Sequence, residues 1–337
     1  MNQNKTTTGI KALGLCSGGL DSMLSALILQ DQGIDVTWIS FETPFFHSTA
    51  AKKASKQTGI PLIVKDITSE YMEMMRAPKA GFGKNMNPCM DCHALMFKLA
   101  GEIMKQQGFH FLFSGEVIGQ RPKSQTKNAL RWVEKHSGFD GYLVRPLSGK
   151  LLPETKAELE GLVDRKQLLD ITGRGRKVQM DLAKKYGITE YPSPAGGCVL
   201  TDKGFSIRLR DLLYTQNTED PLELCMLNHG RHFRLSHDVK LVVGRNKWDN
   251  KQIMQLYNPD CHIRLRHAGM PGPDAIFFGP PSEATITLAA RITAGYTKAK
   301  PGTPSRVRVT QGEKSWEVEV TTPASGAFHD LLIPPPT

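Results

Sequence analysis

Three short stretches of this sequence carry residue types that do chemistry: Ser17-Gly18-Gly19-Leu20-Asp21-Ser22, Asn87-Pro88-Cys89-Met90-Asp91-Cys92-His93 and Pro194-Ala195-Gly196-Gly197-Cys198. In the first, two glycines let the backbone turn tightly and approach a ligand closely. A helix beginning at Asp21 would add unpaired N–H groups and the positive end of its dipole. Ser17 and Ser22 add hydroxyls, and the whole suits a phosphate. The plainer alternative is a turn with Asp21 as helix cap; a strand before the turn and a helix after it weigh against that. No GxxxxGK[ST] pattern occurs, so this is not a Walker-type loop. In the second stretch, Cys-x-x-Cys brings two sulfurs together, which suits a metal, a cluster or a disulfide relay. In the third, glycines keep the surroundings of Cys198 open. Cys16, Cys225 and Cys261 read as small core or surface residues. His93 reads as a polar helix-start residue before it reads as a zinc ligand.

The elements that position these residues follow from hydrophobic patterning. IKALGLC, residues 10 to 16, is a short apolar run ending at glycines and reads as a buried parallel strand. A helix is expected from Asp21 to Gln32, a strand from Val36 to Phe41, a helix from Ser48 to Thr58 and a strand from Leu62 to Lys65. A helix from Leu95 to Gln107 and a strand from Phe109 to Phe113 continue the alternation. Ala77 to His93 reads as an irregular, functional insert. Lys156 to Leu169 and Lys177 to Lys185 read as helical. The fold class is therefore α/β: a Rossmann-like doubly wound parallel sheet. After Leu200 the texture changes, and KLVVGRN, CHIRLRH, AIFFG, VRVT and WEVEV read as strands of a second, smaller α+β domain. The expected organisation is a first domain at 1–200, a connector at 201–229, a second domain at 230–332 and a disordered tail at 333–337.

The 337 residues suffice for two or three domains. Lys and Arg number 43 against 33 Asp and Glu, a net charge of +10 that favours a polyanionic partner such as nucleic acid. No long apolar run suggests a membrane span, no signal-peptide pattern opens the chain, and a reducing cytoplasm is the expected location.

SGGLDS resembles the loop of the ATP pyrophosphatases, the adenine nucleotide α-hydrolase superfamily. That resemblance implies ATP as cosubstrate, held by Ser17, Gly18, Gly19, Asp21 and Ser22. It places the adenine near Ile39 to Phe41, with Gly115 of Gly115-Glu116-Val117 in the nucleotide-side loop. It implies that AMP is transferred to a carbonyl oxygen and then displaced, with Mg²⁺ offsetting the charge on pyrophosphate. NPCxxC after such a loop resembles the tRNA 2-thiouridylases, and Arg145-Pro146-Leu147 resembles the tRNA 4-thiouridine synthetases. The implied catalytic residues are Cys89, Cys198 and Asp21. Two uses of the cysteines stay open. In one, a persulfide on Cys198 is resolved by Cys89. In the other, Cys89, Cys92 and Cys198 ligate a [4Fe–4S] cluster. The sulfur donor would be a cysteine desulfurase-derived persulfide or sulfide.

LVVGRNKWDN and HIRLRHAGMPGP present Arg245, Asn246, Lys247, Arg264, Arg266 and His267, and arginines beside exposed loops suit RNA phosphates. A solvated basic face is the plainer reading of either segment. Together, over roughly 230 to 337, they resemble the RNA-binding domain of NFACT proteins. Arg174, Arg176, Lys177, Lys184 and Lys185 could extend a basic track, and Gln120, Arg121 and Lys123 could touch ATP or RNA. The expected function is tRNA uridine thiolation at C2 or C4. The rivals are a small-molecule ligase or synthase of the same superfamily and an RNA-binding protein with a vestigial ATP site. The sequence leaves the oligomeric state open.

Overall fold

The computed structural model describes residues 8–192, 198–324 and 326–334. The chain divides into two compact units, Met1–Cys198 and Val199–Thr337.

In the first unit, β1 (Lys11–Leu15), α1 (Leu20–Asp31), β2 (Asp35–Glu42), α2 (Thr49–Thr58) and β3 (Leu62–Asp66) alternate as their patterning dictates. They are followed by α3 (Thr68–Arg76), α4 (Cys89–Gln107), β4 (Phe111–Ser114), α5 (Lys127–His136) and β5 (Leu143–Val144). The sheet order is β3-β2-β1-β4-β5 and every pairing is parallel. Ala12 and Leu13 on β1, and Phe111 on β4, are fully buried, because helices cover both faces. The strand order reverses direction between β1 and β4. The loops leaving the C-terminal ends of these two strands diverge there and leave the crevice where doubly wound sheets bind ligands.

Three local departures matter. Helix α4 starts at Cys89 and not at Leu95, so both cysteines of the CxxC pair and His93 lie in its first turns. The buried Asp91 accepts the backbone N–H groups of Lys79 (2.8 Å) and Ala80 (2.9 Å), which ties the preceding loop to the helix. The stretch from Lys156 to Leu169 holds only the short α6 (Lys156–Leu159) and one 3₁₀ turn. Thr155 and Glu158 form a capping box at its start, and Gly161 with φ +71° breaks it soon after. Helix α7 (Lys177–Lys185) is as expected and packs against α1.

The second unit opens with α8 (Lys203–Tyr214) and α9 (Pro221–Met226). The remaining elements are β6 (Arg231–Ser236), β7 (Val239–Val243), α10 (Lys247–Gln255), β8 (Ile263–His267) and β9 (Ala275–Phe278). Helix α11 (Glu283–Gly295), β10 (Pro304–Gln311), β11 (Lys314–Thr321) and β12 (Leu332–Ile333) complete it. Its seven-stranded sheet, in the order β11-β10-β8-β9-β7-β6-β12, is antiparallel throughout. Alternation along β9 sends Ala275 and Phe277 to the core beneath α11, and Ile276 and Phe278 to the face packed with Met226 and Ile253. Ile333, assigned from sequence to a disordered tail, is instead buried and paired with His232 of β6, since its side chain has apolar surface to cover; residues 335–337 lie outside the described residues. Among the described residues no helix is long and apolar enough to cross a membrane.

Candidate functional site

The SGGLDS turn leaves β1 at the switch point. Gly18 has φ +77°, and a Cβ there would stand 2.2 Å from the backbone of Ala50, so glycine is required twice over. Its N–H reaches the Cys16 sulfur at 3.3 Å. Burial pushes the Cys16 thiol up to about 11, which keeps it a neutral packing residue inside the turn. The Ser22 hydroxyl donates to the Gly19 carbonyl at 2.7 Å, while Ser17 is exposed and its oxygen accepts weakly from the Gly19 N–H at 3.4 Å. Ser22 is thus the hinge of the turn, and Ser17 the hydroxyl open to a ligand. Asp21 accepts from Gln120 Nε2 at 2.9 Å through one oxygen; the other is buried without a partner. Ile39 and Phe41, at the end of β2, are buried, at 0% and 3% exposure.

Gly115, just beyond β4, closes the crevice. A Cβ there would lie 2.5 Å from the Asp21 carbonyl carbon and 2.6 Å from the Ser22 nitrogen, so the loop after β4 rests directly on the first turn of α1. The next residue, Glu116, is 6% exposed. Its carboxylate accepts from Arg145 Nε at 2.9 Å and meets His93 Nδ1 at 2.9 Å. Burial opposes its ionisation, but Arg145 and His93 outweigh that and bring the carboxyl down to about 2. Arg145 also donates to Glu134 at 3.2 Å and to the Leu130 carbonyl at 3.4 Å.

The cysteine pair sits on the other side of His93. Asn87 Nδ2 donates to the Cys89 sulfur at 3.2 Å, and the Asn87 side-chain oxygen accepts from Asn85 N–H at 3.2 Å. Asn-Pro before the first cysteine therefore orders the loop and aims its thiol. Burial pushes the Cys92 thiol up to about 12, opposed by a hydrogen bond from Tyr71 and reinforced by Cys198 and Cys89. The Tyr71 phenol is held well above its ordinary range by burial, then by charge on Cys92 and Cys198. Cys92, Cys198 and Cys89 each push the Tyr71 phenol in the same direction. Tyr71 itself is wedged by Phe45 and Phe46, at ring separations of 5.6 and 5.4 Å. Cys198 is exposed and Cys89 and Cys92 are half-buried. Pro194 to Gly197 lie outside the described residues. Among the described residues no three His, Cys, Asp or Glu side chains stand close enough to hold a single metal ion.

Sequence reasoning missed Tyr71 and the part played by His93. The first lies in TSEYMEMMR, where Tyr71, Met72 and Met75 form an apolar face that should have announced α3. The second is visible only once β4 and α4 are side by side.

In the second unit, the six residues singled out for RNA divide by burial. Asn246 caps α10, its oxygen accepting Asp249 N–H at 2.9 Å. Arg245 is ion-paired with the buried Asp249, with Nη2 to Oδ1 at 3.1 Å. Arg264 binds Asp274 through Nε at 2.9 Å and Nη2 at 2.6 Å. His267 is buried, its Nδ1 accepting from Gly269 and Met270 N–H and its Nε2 facing Ser305 Oγ at 3.2 Å. It therefore braces the following turn. Lys247 and Arg266 are exposed, with no ion-pair partner among the described residues. In the first unit's basic track, Lys184 lies 3.9 Å from Asp181 on the surface, and Arg176 has its Nε buried without a partner.

Residues 7–154 match the family model of the thiamine biosynthesis protein ThiI, and residues 230–327 that of the NFACT protein RNA binding domain. A probable tRNA sulfurtransferase of Caldanaerobacter subterraneus subsp. tengcongensis is 27% identical over 173 residues, 49% of this chain and 40% of that protein. A tRNA-specific 2-thiouridylase MnmA of Deinococcus radiodurans is 24% identical over 155 residues, 41% of this chain and 40% of that protein. The chain spans 40% of the length of each of these two relatives. Among solved structures, a 4-thiouridine synthetase–RNA complex with bound ATP aligns with a TM-score of 0.33 and 19% identity, over 53% of this chain and 50% of that one. The two family-model matches fall on separate stretches of the polypeptide, the ThiI model on residues 7–154 and the NFACT RNA-binding-domain model on residues 230–327.

Proposed function

We propose that this chain is a cytoplasmic tRNA sulfurtransferase that adenylates a uridine carbonyl, at C2 or C4, and replaces its oxygen with sulfur. One observation carries the reading. The His93–Glu116 contact of 2.9 Å ties the helix bearing Cys89 and Cys92 to the loop that rests on Asp21 and Ser22. Sulfur chemistry and the phosphate turn are thereby held on one scaffold. The names of the sulfurtransferase and thiouridylase relatives and the NFACT match agree with it.

Ser17, Gly18, Gly19 and Ser22 would cradle the pyrophosphate end of ATP. The uridine oxygen attacks the α-phosphorus and pyrophosphate leaves. Sulfur then attacks the activated carbon, and AMP departs carrying the original oxygen. Asp21, with one carboxylate oxygen buried and unpartnered, fits Mg²⁺, which would offset the charge growing on pyrophosphate. Glu116 and Arg145 hold His93, and His93 fixes the first turn of α4 beside the nucleotide.

Two sulfur routes remain within the proposal. The exposed Cys198 suits receipt of a persulfide sulfur from a donor. Its terminal sulfur attacks the base carbon, Cys89 attacks the inner sulfur, and the resulting disulfide is reopened by a dithiol reductant. The thiol set of Cys89, Cys92 and Cys198 also has the donor chemistry of a three-cysteine [4Fe–4S] site. Such a cluster would supply an open iron to present sulfide. A pair of cysteines one helical turn apart plus a distant third is the pattern that favours the cluster, although the described residues do not bring three such side chains within reach of one metal ion.

Mass spectrometry of tRNA nucleosides from a deletion strain tests the function. Loss of one thiouridine, restored by the wild-type gene and not by Cys92→Ala, is expected; unchanged thionucleosides overturn it. ATP–pyrophosphate exchange that ignores tRNA and responds to a small carboxylate would instead favour a small-molecule ligase. Iron and sulfide analysis after anaerobic purification, with Cys92→Ala as control, separates the two sulfur routes.

A further inference from the structure

Trp248 is 59% exposed, at the start of α10 in the RNA-binding unit. An exposed indole alone is unremarkable; its setting is what counts. The residues on either side of it are fixed. Asn246 caps the helix through Asp249 N–H at 2.9 Å, and Asp249 is fully buried and gripped by Arg245. The imidazole of His229 meets the indole edge-on, with centroids 5.3 Å apart and planes at 62°. His229 is in turn 4.0 Å from Asp249. The ring is thus buttressed on one side while most of it faces solvent.

The exposed charged side chains flanking this ring on α10 are cationic, while the acidic Asp249 beside it is buried and paired with Arg245. Lys247 precedes the tryptophan, Lys251 lies one helical turn on, and both are exposed. Arg245 stands near Arg208, whose Nε is anchored on the Leu227 carbonyl at 3.0 Å. Burial holds the Arg208 guanidinium below its ordinary range; Asp202 opposes this and Arg245 adds to it. A buttressed aromatic face within a cluster of cations matches the two parts of a nucleotide, a flat base and its flanking phosphates.

We infer that Trp248 is a stacking platform for an unpaired RNA base, with Lys247, Lys251, Arg245 and Arg208 taking the adjoining phosphates. This rests on reading the second unit as RNA-binding and not on the chemistry of the first. Stacking requires a base that can leave a duplex, so the site selects single-stranded segments of the substrate RNA.

The test uses the full chain with oligouridine and with an RNA duplex of equal length, neither needing ATP or the cysteines. Wild-type tryptophan fluorescence should be quenched by oligouridine, and much of that quench should vanish in Trp248→Phe. By anisotropy of labelled RNA, Trp248→Ala should bind oligouridine roughly tenfold more weakly, whereas Trp248→Phe stays within about threefold of wild type. Duplex affinity and the salt dependence of binding should be unchanged in both, since no phosphate contact is lost. Trp248→Ala binding oligouridine like wild type overturns the inference and leaves the ring to a protein contact. Equal losses on single strand and duplex overturn it as well. Failure here with intact tRNA thiolation would leave the proposed function standing, and thiolation could fail while stacking holds.

Discussion

In the first unit, Arg145 is 4% exposed and joins Glu116 to Glu134, and the outer oxygen of Glu116 goes on to His93 beside the cysteine pair. In the second, Lys240 is 1% exposed and joins Glu223 at 2.9 Å. Glu223 accepts from Gln216 at 2.7 Å, and Gln216 meets Arg234, which pairs with Asp211. Burial is similar in the two networks, but their ends differ. The first terminates on the ring of His93, the residue next to Cys92 in the first turns of α4. The second closes on itself and fastens α8 and α9 to the sheet. Where a buried charge network ends is therefore more informative than how deeply it is buried.

The sharpest way to break this comparison is to remove each cation. Arg145→Leu leaves Glu116 and Glu134 buried together without their shared partner. It should destabilise the protein by about 3–5 kcal/mol and leave His93 as the remaining partner of the Glu116 carboxylate. Lys240→Met orphans one carboxylate, whose side chain is 11% exposed and which keeps Gln216, so about 2 kcal/mol is expected. Urea denaturation of the two variants measures both. Equal losses, or the reverse order, would remove the distinction.

Acid separates the regions next. The Glu116 carboxyl lies at about 2 in the folded protein, against an ordinary value of 4.5. Its folded pKa is depressed, so its stabilisation is present above about pH 4.5 and is lost as pH falls toward 2, in total about 3 kcal/mol. In the second unit, burial lowers the pKa of His229, His232 and His262, for His232 reinforced by Lys240 and Arg208. These rings stay neutral when folded, and the unfolded chain binds their protons first. Their loss of stability therefore begins as pH falls below 6.5. Pulse-labelling hydrogen exchange should find the β6–β7 peptides opening at a higher pH than the β1–β4 peptides. Simultaneous opening would contradict this.

How much was legible differs in the same way between the regions. The strands β1 to β4, helices α1 and α2 and the SGGLDS turn follow from apolar runs broken by glycine, and the structure reproduces them with small shifts, whereas α3 was not read from the sequence at all. Cys89 and Cys92 were legible as a pair, but their placement in a helix was not. Pro88 and the tie of Asp91 to Lys79 and Ala80 start α4 a turn and a half early, and such caps depend on a loop whose path the sequence does not disclose. His267 and Arg264 looked available because alternation along β8 is all a sequence shows. Ser305 and Asp274, which occupy them, come from other strands and loops.

Gly115→Ala probes the contact that makes the first unit a site. The new Cβ would meet Asp21 and Ser22 backbone at 2.5 and 2.6 Å, and neither can yield without moving the SGGLDS turn. ATP–pyrophosphate exchange should fall by about ten- to a hundredfold, a displacement effect and not a chemical one. Loss of exchange with unchanged thermal stability supports it; unchanged exchange means the β4 loop does not shape the nucleotide site.

The smallest effect sharpens the comparison within the second unit. Arg264 and Arg266 are two apart on β8 and share a face, yet Arg264 is held by Asp274 while Arg266 is exposed. Arg266→Ala should weaken tRNA binding about threefold and reduce the salt slope by about one, because a phosphate contact is lost without disturbing the fold. Arg264→Ala should leave the slope nearly unchanged and lower stability by about 1 kcal/mol, since one Asp274 oxygen loses both of the donors Arg264 gives it in a partly exposed setting. Filter binding over a range of salt, with thermal melts alongside, distinguishes them. If both variants flatten the slope alike, the ion pair with Asp274 opens on RNA, and exposure in the unbound protein is the wrong guide to which arginines meet phosphate.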